Sequence, residues 1–169
     1  MKRQTLTLTL LALLALASGC RESGNEEYLV LTGKVFIFNY RVATATYVVT
    51  LAKSKPVPDG SVVLAEFENP AGGEPLRVEQ KVWPRSDKVA LESPPLSCVV
   101  KDKPYQFSIR LIGPDKTTLQ TLDSTLTGTL DQTVLPDRPL VVGPVYTPNP
   151  DLAGHPDGKR ADFDKIPCR

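Results

Sequence analysis

Sixteen prolines are spread through this 169-residue chain, set between short β-branched and aromatic runs, and they leave little room for long helices. From residue 28 to 142 these runs are separated by Gly, Pro and Asp turns. Tyr105, Phe107, Ile109 and Leu111 alternate with Gln106, Ser108 and Arg110, which is the pattern of a strand with one buried side. Leu76, Val78 and Val82 alternate in the same way with Arg77, Glu79 and Lys81. Residues 29–38 form a run broken at Gly33, and Val35-Phe36-Ile37-Phe38 is apolar at every position. That segment is predicted to be a central or doubly covered strand, bent at the glycine. Residues 44–51, 61–67, 119–130 and 140–142 complete the series, and no stretch of useful length carries a helical period. The expected fold is all-β: a single small β-sandwich, immunoglobulin- or transthyretin-like, of about seven or eight strands with a coil C-terminal tail.

The first twenty residues have a different character. Lys2 and Arg3 precede an apolar, Leu-rich run over 5–17, and Ala17, Ser18 and Gly19 lead into Cys20. A basic start, a short apolar core and small residues before a cut make a secretory signal. The run is too short for a hydrocarbon core, which takes about 20 apolar residues. Leu16-Ala17-Ser18-Gly19-Cys20 resembles the lipobox of bacterial lipoproteins, with Ala17 where Leu is commoner. The resemblance implies cleavage after Gly19, acyl chains on Cys20 and anchorage in a membrane of the cell envelope. Two or more chains hold where one is marginal. Arg21 in place of Asp leans toward the outer membrane, facing the periplasm. The expected organisation is a cleaved signal over 1–19, a lipidated N-terminus and polar tether over 20–27, a sandwich over 28–142 and a Pro/Asp/Gly-rich tail over 143–169. Residues 21–27 reach at most roughly 24 Å, so the domain is expected close to the membrane.

Without the nineteen signal residues the chain has eighteen basic and nineteen acidic side chains. This near-neutral balance gives no electrostatic reason to expect nucleic acid as a partner. Lys53, Lys55, Arg77, Lys81, Arg85 and Lys88 read as a solvated strand face rather than a binding patch. Of the three cysteines, assigning Cys20 to lipid leaves Cys98 and Cys168, which an oxidising envelope lets pair. Their bond would close a loop worth about 4 kcal/mol at most. A nucleophilic Cys98 would need a basic neighbour, whereas it stands in the apolar Leu96-Ser97-Cys98-Val99-Val100.

Catalytic and metal constellations are not apparent. The lone His155 lies in the tail, and no G-x-S-x-G elbow occurs. The carboxylates around it, Asp151, Asp157, Asp162 and Asp164, lack calcium-loop spacing, and one histidine with distant cysteines does not make a zinc site. Glu66, Glu68 and Glu79 alternate with apolar residues and are expected to face solvent rather than act as a glycosidic pair. Trp83, beside Pro84, is expected to cover the sandwich edge. No cofactor or metal is expected, and no enzymatic activity.

Leu31-Thr32-Gly33-Lys34-Val35-Phe36-Ile37, Thr46-Tyr47-Val48-Val49-Thr50-Leu51 and Val63-Leu64-Ala65 together resemble the opening strands of YbaY-like envelope lipoproteins, a family related to the pilotins of secretion systems. Pro75-Leu76-Arg77-Val78-Glu79-Gln80-Lys81-Val82 is similar to the next strand of that family, and residues 105–112 with Thr121-Leu122-Asp123-Ser124 to a later hairpin. The chain departs from the pattern at 40–45, at 93–103 and in the tail. The resemblance implies a lipid-anchored β-sandwich with no known catalytic residues, and it carries over only Cys20. The expected function is binding of an envelope protein partner, aiding assembly of a membrane complex. The alternative is an envelope inhibitor of a hydrolase such as a lysozyme or protease, acting through residues 84–103 or the tail.

Overall fold

Period-two alternation sends one side chain in two toward a shared interior, and aromatic residues dominate what it collects there. Phe36, Tyr47, Phe67, Tyr105 and Phe107 lie in contact, with Tyr47 stacked on Phe67 at 5.0 Å between ring centroids and Phe36 at 4.7 Å from Tyr47. Such offset and tilted pairs contribute beyond the apolar area they bury. The computed structural model describes residues 27–159.

Seven strands form two antiparallel sheets around this core. One has the order β1-β2-β5, from β1 (Leu29–Asn39), β2 (Thr44–Lys53) and β5 (Lys88–Glu92). The other has the order β4-β3-β6-β7, from β3 (Val62–Phe67), β4 (Leu76–Lys81), β6 (Pro104–Ile112) and β7 (Thr118–Thr127). A two-residue hairpin, β8 (Val141–Val142) with β9 (Thr147–Pro148), follows. In a constant-type immunoglobulin domain the fourth strand joins the first, second and fifth. Here β4 sits beside β3 instead.

The all-β sandwich matches the sequence reading, but β1 does not. It is an edge strand of the three-stranded sheet, neither central nor covered on both faces. Its unbroken apolar sequence has another cause. The register with β2 slips between Leu31 and Gly33, so Thr32 is left over as a bulge. Leu29 and Leu31 face the core before the bulge, and Phe36 and Phe38 face it afterwards. The inward set changes from odd to even positions, and Val35 and Ile37 are turned outward.

β5 was not anticipated. It is five residues long and carries two buried positions, Val89 and Leu91. Beyond it the chain stays beside β2, where Ser93 Oγ accepts the Tyr47 N–H at 3.0 Å and Leu96 bridges Ala45.

Two hydrogen-bonded devices lock the sandwich. The Tyr105 hydroxyl, at the start of β6, accepts the Val100 N–H at 2.8 Å. This is the tyrosine corner of immunoglobulin-like sandwiches. Gln120, inside β7, accepts the N–H groups of Tyr28 and Leu29 through Oε1 and donates to the Leu29 carbonyl at 2.7 Å through Nε2. It stitches the first sheet to the second where their edges meet. Tyr47 donates its hydroxyl to the Glu68 carbonyl at 2.9 Å. Burial first, then the charge of Glu68 and neighbouring Tyr105, raises its ionisation well above the usual phenol range.

The segment after β7 is built mostly of turns and coil, as its composition implied. It carries short 3-10 turns at Gln132–Val134 and Pro150–Leu152. Its backbone meets the β1–β2 turn, where the Leu140 N–H donates to the Arg41 carbonyl at 2.8 Å and the Tyr40 hydroxyl to that of Asp157 at 3.2 Å. Lys159 Nζ donates to the Thr133 and Leu135 carbonyls. Residue types that stop long elements still allow tight turns, and these turns hold the segment against the domain.

Candidate interaction surface

The outer faces of the two sheets differ in kind. On the four-stranded sheet the outward positions mix apolar residues, Val62, Leu64 and Ile112, with many charges, Glu66, Arg77, Glu79, Lys81, Arg110 and Asp123. Glu66 Oε1 lies 2.9 Å from Arg77 Nε and 3.8 Å from Arg110. On the three-stranded sheet they carry Val35 and Ile37 from β1, Thr46, Val48, Thr50 and Ala52 from β2, and Lys88, Ala90 and Glu92 from β5. Val35 is 50% exposed and Ile37 46% exposed. Charge appears only along β5, where Glu92 accepts a hydrogen bond from the Thr46 hydroxyl at 3.2 Å.

This apolar face lies next to a partly protected strand edge. Gln120 ties the start of β1 to β7, and the bulge and Lys34 interrupt its middle. Lys34 Nζ reaches across to the Ser124 hydroxyl at 2.9 Å. Bulges and inward-leaning lysines are devices that keep an edge from unselective pairing. The part of β1 that holds Val35 and Ile37 lies beyond them.

The residues singled out from the sequence are scattered. Cys20 and Cys168 lie outside the described residues. Cys98 is 4% exposed, with backbone in the left-handed region at φ 67°, between buried Leu96 and Val99. Trp83 does not cover the sandwich edge. It is 57% exposed, and Lys81 Nζ sits 4.6 Å from the ring centroid. Glu68 accepts the Gln106 N–H at 3.0 Å and lies 3.7 Å from Lys103 Nζ. Glu66 is tied to the two arginines, so these carboxylates serve the sheet surface. The N–H of His155 closes a turn to Leu152. Among the described residues no three His, Cys, Asp or Glu side chains converge as a metal site.

Of the six basic residues read as a strand face, Arg77 stands apart on the four-stranded sheet, while Lys53, Lys55, Lys81, Arg85 and Lys88 lie toward the end of the sandwich where β1 begins. Arg77 joins the ion pairs of the four-stranded sheet, and Lys55 Nζ lies over the Tyr28 ring at 4.3 Å. Lys53 Nζ donates to the carbonyls of Trp83 and Pro84, at 2.6 and 3.2 Å. Lys81 and Lys88 line a depression of about 150 Å³ with Gln80, Trp83, Val89 and Ala90. A wider open depression of about 380 Å³ lies at the other end of the sandwich, bordered by Glu68, Lys103 and the loop holding Gly72 and Gly73.

Sequence reasoning did not find the outer β1 face. Its signal was present in the unbroken run Val35-Phe36-Ile37-Phe38, but the bulge that decides which pair turns outward is a property of strand pairing. The fold and this surface define a small sandwich with one charge-rich outer face and one that carries few charges. No protein-family model matches the chain, and no curated protein matches it.

Proposed function

We propose that the chain is a lipid-anchored, non-enzymatic lipoprotein of the bacterial cell envelope that binds an envelope protein through the outer face of β1, β2 and β5. The observation that carries this reading is the exposure of Val35 and Ile37 on a sheet face with few charges. A contiguous apolar surface rimmed by polar groups is the usual mark of a protein contact. By that binding the chain aids assembly of a membrane complex. The signal-like start ending at Cys20 and the resemblance to YbaY-like lipoproteins support the anchor and the outer-membrane address. Pairing of Cys98 with Cys168 belongs to the same reading, and peptide mapping under non-reducing conditions tests it.

The inhibitor reading would use residues 84–103 or the tail. Leu96, Cys98 and Val99 in that segment are buried, so the sheet face supports partner binding better. A photo-crosslinking amino acid placed at Ile37 is expected to trap an envelope protein in living cells, while the same group at Thr121 on the opposite face does not. Equal, background-level yields from both positions would remove this function.

A further inference from the structure

The chain enters the sandwich at one end, and that end has its own chemistry. Leu29 opens β1 opposite Lys53, Lys88 opens β5 beside Ala52, and Lys81 closes β4 opposite Val62. Trp83 follows Lys81 and is held there by its carbonyl, to which Lys53 Nζ donates at 2.6 Å. The indole projects into solvent while its backbone is fixed, so exposure costs it no packing. Arg85 and Lys88 are exposed beside it. Tyr28 lies at the same end under Lys55.

Charge is graded along the strand direction. Among the described residues, the end that receives the N-terminus holds the cations Lys53, Lys55, Lys81, Arg85, Lys88 and Lys116 against the carboxylates Glu27, Asp59, Asp87 and Asp115. The opposite end reverses this balance. Arg41, Lys101, Lys103, Arg138 and Lys159 there face Glu68, Glu74, Glu92 and Asp102, together with Asp131, Asp137, Asp151 and Asp157.

We infer that the N-terminal end of the sandwich is a contact surface for anionic phospholipid headgroups, with Trp83 seated at the headgroup boundary and Lys81, Arg85 and Lys88 facing the phosphates. This rests on the lipid-anchor reading above, because acyl chains on Cys20 would keep the domain within a short tether of the bilayer. Tryptophan favours the interface, where its apolar body and its N–H each find a suitable medium. Lysine and arginine near an anionic leaflet add attraction within a Debye length of about 8 Å at physiological salt. A tether alone allows any orientation. The charge gradient selects the one with the basic end down, and the strands then run away from the membrane with the apolar face of β1, β2 and β5 held sideways.

Trp83 is the only tryptophan in the chain, so its fluorescence reports on this surface alone. Full-length protein purified from membranes is mixed with vesicles of phosphatidylcholine, or of phosphatidylglycerol with phosphatidylethanolamine, each containing brominated lipid. Flotation and Trp83 quenching are then read together. The expected result is flotation with both vesicles and quenching only on the anionic ones, reduced about tenfold in K81E/K88E and by roughly 0.5 M salt. Flotation with both but no quenching on either overturns the headgroup surface and leaves the anchor standing. Flotation and quenching with anionic vesicles alone supports the surface and overturns the anchor. No flotation with either overturns both.

Discussion

The Tyr105 hydroxyl accepts the Val100 N–H at 2.8 Å and so fastens the β5–β6 connection to the strand that follows it. The ring belongs to the aromatic core and the hydroxyl to the loop, so one side chain sets both. Tyr105→Phe keeps the ring and leaves the Val100 N–H without its partner. That N–H is only partly buried and Val100 is 51% exposed, so water replaces part of what is lost and the cost is near the net worth of one hydrogen bond, about 1 kcal/mol. Urea unfolding is expected to shift by about that amount with an unchanged slope, and amide exchange to quicken first at Val99 and Val100.

Gln120 bonds both main-chain groups of Leu29 with one side-chain amide. Gln120→Ala is expected to cost about 3 kcal/mol and to loosen β1 at its start. Gln120→Glu separates hydrogen bonding from shape. The new carboxylate can accept the two N–H groups but cannot donate to the Leu29 carbonyl, and burial disfavours its charge. Its folded pKa would lie above the unfolded value of about 4.3. The variant should therefore be closest to wild type below that pH and lose stability as pH rises through the folded value, which unfolding curves at pH 4 and pH 7 compare.

Gly158 anchors the last described turn in a left-handed conformation at φ 68°, and a Cβ there would meet Pro136 Cβ and come within 2.7 Å of Leu140 Cδ2. Gly158→Ala combines backbone strain of about 1–3 kcal/mol with a collision against ring and side-chain carbons. Limited proteolysis should cut this variant between 136 and 159 much faster than wild type, while the sandwich itself persists.

Asp131 caps its turn by accepting the Thr133 N–H at 2.9 Å and the Thr133 hydroxyl. These bonds, the hydroxyl's first, hold its carboxyl below the usual value. A depressed folded pKa means the contribution is present above the unfolded value of about 3.9 and is lost as pH falls through the folded one. Carboxyl carbon shifts followed by NMR should give Asp131 a midpoint below that of an unfolded aspartate, and Thr133→Ala should raise it.

The strands with one covered face were legible where β4 and β6 write their burial directly as alternation. By contrast β7, with polar Gln120 and Ser124 at inward positions, reads only as a threonine-rich run, and it ends at Thr127 rather than 130. β5 was missed because five residues with two inward side chains make a weak signal between the turn around Trp83 and the prolines at 94 and 95. Trp83 was expected to cover an edge, yet Lys53 holds its backbone so that the ring stands clear. Gln120 sits among threonines and looks like any polar strand residue. Only the approach of β1 to β7 reveals what its amide is for. The apolar face of β1 was hidden for the same reason: pairing with β2, rather than composition, decides which residues face out.

The Thr32 bulge thus acts as a one-residue switch of phase. Without it, the residues after Gly33 would turn over, and Phe36 and Phe38 would stand in water while Val35 and Ile37 faced the aromatic cluster. A chain lengthened or shortened by one residue here would keep nearly the same composition but present a different molecule to its surroundings. What this domain displays is therefore fixed by a count of residues as much as by their chemistry.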